Sequence, residues 1–173
     1  MLDAEKVART ATKISLKDIK DHKVLSVHDQ PNLKYAWDNG VALGRYLAEL
    51  KQGRIIGKRC KSCKRVLVPP RLFCETCWRP TDEWTYVKDT GTILTSVVSH
   101  VNWDASRVPE GQRYHTPAVI ELDGAGRDQG LLHLIDEIEP YAIKIGMRVQ
   151  AVWKPAEERI GAITDIKYFK VIG

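Results

Sequence analysis

Cys60-Lys61-Ser62-Cys63, ten intervening residues, then Cys74-Glu75-Thr76-Cys77 decide how this 173-residue chain is read. These four cysteines are the only ones in the sequence. The N-terminus, Met1-Leu2-Asp3-Ala4-Glu5-Lys6, has no apolar core of a signal peptide, so a cytoplasmic, reducing location is expected. Clustered cysteines in such a compartment point to a metal rather than to disulfides. Two CxxC knuckles place four thiolates around one tetrahedral ion, at about 2.3 Å for zinc. The two-residue spacer lets both sulfurs of a knuckle face one point. It also turns the following backbone N–H groups toward the sulfurs, where they stabilise the charge. The ten residues between the knuckles, 64–73, are expected to form a short hairpin arm bent at Pro69-Pro70. Four protein ligands leave no open position, so the site is read as structural zinc. A rubredoxin-like iron site is the competing chemistry. A thioredoxin-like CxxC is a poor fit, because two paired motifs demand one explanation.

Charge is the next constraint. The formal net charge is +5 and the pI is near 9.0, which invites a nucleic-acid reading. The excess is local. Residues 52–80 carry 8 basic and 1 acidic group, whereas residues 81–173 carry 10 basic and 14 acidic. Part of the excess offsets the thiolate cluster, since Lys58, Arg59, Lys61, Lys64, Arg65, Arg71 and Arg79 surround it in sequence. No apolar run approaches the roughly 20 residues needed to span a bilayer.

N-terminal to the knuckles, residues 1–36 are weakly patterned. Ser15 with Asp18 suits the cap of a short helix over 16–22, and Val24, Leu25 and Val27 suit a brief extended piece. An arm that gains order on another surface is expected there, against a mobile tail. Residues 38–52 read as a helix. Asp38 or Asn39 caps it, and Leu43, Tyr46, Leu47 and Leu50 share one face. Gly53 ends it. Its apolar stripe must pack on its own domain or on a partner. Residues 54–59 are an extended lead into the knuckles. Beyond them, strands are expected at 84–87, 92–103, 116–122, 130–135, 149–153 and 160–171, with a helical turn at 140–144. That density of strands suggests a small antiparallel barrel. The fold expected is mainly β, divided as N-terminal arm and helix (1–53), zinc ribbon (54–82) and barrel (83–173).

Gly57-Lys58-Arg59-Cys60-Lys61-Ser62-Cys63 and Val68-Pro69-Pro70-Arg71-Leu72-Phe73-Cys74-Glu75-Thr76-Cys77 resemble the DUF35 family. That family joins a rubredoxin-like zinc ribbon to an OB-fold. Gly91-Thr92-Ile93-Leu94-Thr95-Ser96, Thr116-Pro117-Ala118-Val119-Ile120-Glu121-Leu122-Asp123-Gly124 and Ile145-Gly146-Met147-Arg148-Val149 resemble its barrel motifs. The likeness covers roughly residues 37–172 and does not reach the arm. It implies a non-catalytic accessory subunit of a thiolase-type acyl-CoA enzyme. Such a subunit docks on the catalytic chain in a hetero-oligomer and helps shape the CoA-thioester site. Archaeal relatives join acetoacetyl-CoA thiolase to hydroxymethylglutaryl-CoA synthase, and bacterial ones serve aromatic or steroid degradation. The N-terminal extension suits the bacterial kind. On this reading Arg59, Arg65 and Arg71 are candidates for CoA phosphates, which the guanidinium fork suits.

Chemistry within the chain itself is hard to find. A thiolase needs a nucleophilic cysteine, and every cysteine here belongs to a knuckle. His22, His28, His100, His115 and His133 are scattered. Gly124-Ala125-Gly126 suits a turn better than a dinucleotide motif. Asp136, Glu137 and Glu139 suit a solvated loop better than an acid–base pair. His100 reads as a hydrogen-bonded surface residue and otherwise as a ligand or partner contact. Trp78, directly after Cys77, is expected to pack over the ribbon; exposure to a partner is the alternative. The loop 103–111, anchored by Trp103, is expected to be an interface. The remaining alternative is a single-stranded nucleic-acid binder, with Trp84, Tyr86, Trp103, Tyr114, Trp153, Tyr168 and Phe169 as stacking platforms. The acidic second half opposes it.

Overall fold

The computed structural model describes residues 5, 14–25, 32, 34–127 and 129–173. The chain divides into two units, Met1–Trp37 and Asp38–Gly173. In the first, α1 (Leu16–Lys20) carries a reciprocal cap. The Asp18 N–H donates to Ser15 Oγ at 3.2 Å, and the Ser15 N–H donates to Asp18 Oδ2 at 3.0 Å. None of its residues is buried. Val24 and Leu25 are not in a strand, and Val27 and His28 lie outside the described residues.

The second unit opens with α2 (Gly40–Lys51). Asp38 Oδ1 accepts the Gly40 N–H at 3.1 Å. Gly53 follows at φ +70°, a left-handed conformation that glycine adopts without strain, and its N–H bonds to Leu50 O. The buried face is Ala42, Tyr46 and Leu50, with Leu47 half-buried. Leu43, expected on that stripe, is exposed, because the four-residue rhythm of 42, 46 and 50 sets the face. The stripe packs within its own unit, against β1 (Ile55–Arg59) and a 3-10 turn at Ile163–Asp165.

β1 is the centre of a three-stranded antiparallel sheet, between β2 (Val66–Leu67) and β5 (Glu83–Val87). β3 (Phe73–Cys74) and β4 (Arg79–Pro80) form a separate two-stranded sheet. Residues 64–73 are therefore not a hairpin paired with itself. Pro69-Pro70, which lacks backbone donors, carries the chain from one sheet to the other. Gly57 is needed where β1 meets β2, because a Cβ there would lie 2.6 Å from Leu67 O. Gly57→Ala is expected to lower stability by about 1–3 kcal/mol, read as a shifted urea midpoint.

β6 (Thr90–Ser96), β7 (Pro117–Leu122), β8 (Gly130–Asp136), β9 (Arg148–Trp153) and β10 (Ile166–Val171) close a five-stranded barrel in the order β10-β8-β7-β6-β9. Four seams are antiparallel, and β8–β10 is parallel. Period-two alternation fills the interior with Ala118, Ile120 and Leu122 of β7 and Val149 and Ala151 of β9. Phe169 is fully buried among them. A 3-10 turn, Pro140–Ala142, stands where the helical turn is expected. The expected strand 92–103 ends at Ser96, and the chain continues in a loop held by the isolated bridges Ser99–His115 and Val101–Arg107. The expected strand 160–171 begins only at Ile166. Trp84–Val87 is extended but pairs with β1 instead of the barrel.

Ribbon and barrel share one apolar core, in which Ile55, Ile56, Val66 and Val68 join the barrel residues. Polar links reinforce this. Tyr86 Oη donates to Glu49 of α2 at 3.0 Å, and Arg54 Nη2 forms an ion pair with Glu49 at 2.8 Å. At one barrel end Arg148 bonds Asp123 and Thr90 also donates to it, which together hold that carboxyl down to about 2. No helix among the described residues is long and apolar enough to cross a membrane.

Candidate metal centre

The two knuckles adopt the same turn. Cys60 O accepts the Lys64 N–H at 2.8 Å, and Cys74 O accepts the Trp78 N–H at 2.9 Å. Each turn ends on a left-handed residue, Lys64 at φ 65° and Trp78 at φ 52°. All four sulfurs lie within 4.8 Å of one another. Cys63 Sγ and Cys74 Sγ are 3.7 Å apart. A tetrahedron with metal–sulfur bonds of about 2.3 Å has edges of about 3.8 Å, so the donor set fits zinc.

The surroundings of the sulfurs match the expected turn geometry. The Arg65 backbone N–H, helped by its guanidinium, holds the Cys63 thiol down to about 6. Backbone N–H groups of Cys77 and Thr76 lower Cys74. Cys77 receives a lowering bond from Ser62, but burial and the neighbouring sulfurs outweigh it and push the thiol up to about 11. The opposite directions of Cys63 and Cys77 express one fact: sulfurs this close resist sharing negative charge without a cation among them. Four protein donors close the coordination sphere, which suits a structural ion.

The basic excess of the ribbon is largely engaged. Arg65 Nη2 donates to Glu75 Oε1 at 2.9 Å and to Thr76, and Arg71 Nη1 lies 3.4 Å from the other Glu75 oxygen. Arg71 also donates to Gln129 Oε1 at 2.8 Å, tying the ribbon to the barrel. Arg59 Nη1 donates to Lys64 O at 3.4 Å. Arg79 pairs with Asp82 at 3.0 Å and Lys61 with Glu83 at 3.1 Å. Glu75, the only acidic residue of 52–80, is the hub that sequence reading passed over. Its place inside the second CxxC was the available signal.

Trp78 does not pack over the ribbon. It is 80% exposed, with an edge-on ring contact to Phe73 at 6.4 Å, and its backbone is left-handed. Leu72 and Phe73, at the start of the second knuckle, are exposed as well. Trp103 is 98% exposed at its loop. His100 is hydrogen-bonded, with Nε2 2.8 Å from Tyr141 Oη and its ring stacked on Tyr114 at 3.9 Å. His115 Nε2 meets Asn102 Oδ1 at 3.0 Å. No hydrogen bond, ion pair or ring contact among the described residues joins His100 or Trp103 to the ribbon arginines. Three of the seven aromatic residues a nucleic acid would stack on are already engaged, while Trp103 and Tyr86 are exposed. Phe169 is buried, Trp84 lies under Arg45 and Lys58, and Trp153 lies under Arg159.

Comparison with known proteins agrees with this architecture. The family model described as the ChsH2 rubredoxin-like zinc ribbon domain matches residues 47–83, and that of the ChsH2 C-terminal OB-fold domain matches residues 84–154. A DUF35-family protein of unknown function from Sulfolobus solfataricus has the same fold. It shows a TM-score of 0.56 and 21% identity over 76% of this chain and 84% of that one. The structure described as the Ltp2-ChsH2(DUF35) aldolase gives a TM-score of 0.53 and 24% identity over 73% of this chain and 93% of that one. A curated protein of Thermomonospora curvata, named "Probable enoyl-CoA hydratase alpha subunit", is 28% identical over 112 residues. This chain spans about a third of its length, 32%, while the match covers 64% of this chain. With both domain models matched in tandem across the metal centre and the barrel, the chain belongs to the DUF35 (ChsH2-type) family.

Proposed function

We propose that this chain is a non-catalytic, zinc-binding accessory subunit of an acyl-CoA enzyme, with Cys60, Cys63, Cys74 and Cys77 holding the ion. Its parts are the arm and helix (1–53), the ribbon (54–82) and the OB-fold (83–173). The partner is a thiolase-type catalytic subunit in a hetero-oligomer, of the kind used in bacterial aromatic or steroid degradation. The curated relative's name supports a hydratase-type partner as the second reading. The CoA thioester is a ligand of the complex, with Arg59, Arg65 and Arg71 as phosphate contacts; Arg65 and Arg71 would exchange Glu75 for phosphate. His100 and Trp103 belong to the partner-facing surface.

One observation carries the reading: a closed four-sulfur site rigidly presents an exposed Trp78 in a strained conformation. A non-glycine residue in the left-handed region costs on the order of 1 kcal/mol, and glycine would remove that cost. Retaining tryptophan there makes sense if the ring is buried by a partner, where tryptophan is a frequent anchor. Trp78→Gly is therefore expected to leave metal content and urea stability within about 1 kcal/mol of the parent while weakening partner binding roughly 30-fold. A tag on the wild-type chain should recover a thiolase- or hydratase-type enzyme from the native host, and the variant should not. Recovery of neither enzyme by the wild type would falsify the accessory role.

A further inference from the structure

The outer face of β8 breaks the alternation expected of a strand with one wet side. Leu131 and Ile135 point into the barrel, yet the outward positions are Leu132, 66% exposed, and Leu134, 43% exposed. With Pro117 of β7 and Ile163 they floor an apolar groove of about 590 Å³ beside the loop 154–165. This is the face, between the second and third barrel strands and flanked by the loop joining the fourth to the fifth, on which OB-folds bind oligonucleotides and oligosaccharides. Here it offers no aromatic platform and is aliphatic. Among the described residues, Lys154 and Lys167 are the only charged ones that line it, in a half of the chain that is otherwise net acidic. Asp165, fully buried and bonded to three loop N–H groups, also interacts electrostatically with Lys154, which leaves the exposed Lys167 as the less compensated of the two charges. His133 adds no firm charge, since burial lowers its pKa and outweighs the opposing contact of its Nε2 with Ile163 O at 3.4 Å.

We infer that this groove is the seat for an apolar segment, flanked by carboxylates, of the acyl-CoA enzyme subunit. The inference rests on the accessory-subunit reading above and adds where that subunit docks. A small acyl ligand suits the groove poorly, because specific small-molecule sites enclose most of the ligand and Leu132 stands open to water. A protein segment laid across the face covers the leucines and places its carboxylates against the two lysines, a complementarity that steers association.

The test uses the complex of the full-length wild-type chain with the acyl-CoA enzyme subunit it recovers. In hydrogen exchange, amides of β8 and of residues 160–167 should be protected on complex formation. Leu132→Glu/Leu134→Glu should weaken the complex about 30-fold by sedimentation, and Lys154→Glu/Lys167→Glu roughly tenfold, with loss of salt sensitivity. Leu132 and Leu134 are exposed, so the thermal midpoint of the free leucine variant should match the wild type; Lys154 is half-buried and interacts with Asp165, so the lysine variant is compared by the salt dependence of binding of its folded fraction. A complex formed without protection at β8, and with wild-type affinity in both variants, overturns the docking site and leaves the accessory role standing. A wild-type chain that recovers no acyl-CoA enzyme overturns both. Self-association of the isolated chain that Leu132→Glu/Leu134→Glu abolishes would make the occupant a second copy and overturn the assignment to the enzyme.

Discussion

Stripping the metal with a strong chelator, or replacing Cys74 with Ser, is expected to unfold the ribbon and to weaken the barrel it rests on. β2, β3 and β4 are two residues each, too short to persist on their own ladders. What holds them is four sulfurs converging on one point, and structural zinc in small domains is worth about 10–16 kcal/mol of apparent binding energy at neutral pH. Because Ile55, Ile56, Val66 and Val68 belong to the same apolar core as the barrel, the damage spreads beyond the ribbon. Metal analysis should find one zinc per wild-type chain, and the protein should be colourless, unlike a ferric tetrathiolate. Circular dichroism and the urea midpoint should both fall on stripping. A stripped protein with an unchanged midpoint would show that the cysteine cluster is not a folding element.

Asp165→Ala should be the most damaging substitution outside the ribbon, at about 3 kcal/mol or more. The carboxylate is fully buried and accepts N–H bonds from Ile160 at 3.0 Å, Gly161 at 2.7 Å and Ala162 at 3.1 Å. Removing it leaves three donors without an acceptor, each costing about 1–3 kcal/mol where water cannot replace it. The 3-10 turn it ends packs on α2, so the helix should loosen too. Acid should mimic the substitution. Burial works to raise the Asp165 pKa, but the three N–H bonds prevail and lower it. A depressed carboxyl contributes stability above its unfolded value, near 3.8, and loses it as pH falls through the folded value. The wild type should therefore lose stability below about pH 4 more steeply than Asp165→Asn, whose side chain does not titrate. Equal slopes would remove Asp165 from the account.

Both predictions bear on what the sequence could disclose. The metal centre was readable because its information is local: a spacing of two, repeated, constrains four sulfurs whatever surrounds them. The barrel was readable as a count of alternating segments, and the family resemblance supplied its closure. Pairing was less legible. Residues 84–87 have a strand's pattern, but nothing in Trp84-Thr85-Tyr86 says that β1 is the neighbour. Leu43 was assigned to the buried face because periodicity alone accepts any apolar residue three positions from the next; the smaller Ala42 occupies that place. Asp165 hid inside a segment, 160–171, whose apolar content looks extended. A buried carboxylate reveals itself only when three backbone donors are seen around it. The exposure and the left-handed backbone of Trp78 are likewise not encoded in composition.

The parallel seam between β8 and β10 has a consequence for biosynthesis. β10 is the most C-terminal element of the barrel, and its contacts with β8 and β9 complete the ring. On the ribosome the knuckles are whole once Cys77 has emerged, whereas the barrel stays an unclosed sheet until Val171 follows. The order of synthesis therefore completes the four-cysteine site first and closes the ring last. The donors for an ion are thus in place while the strands that share its core are still being made.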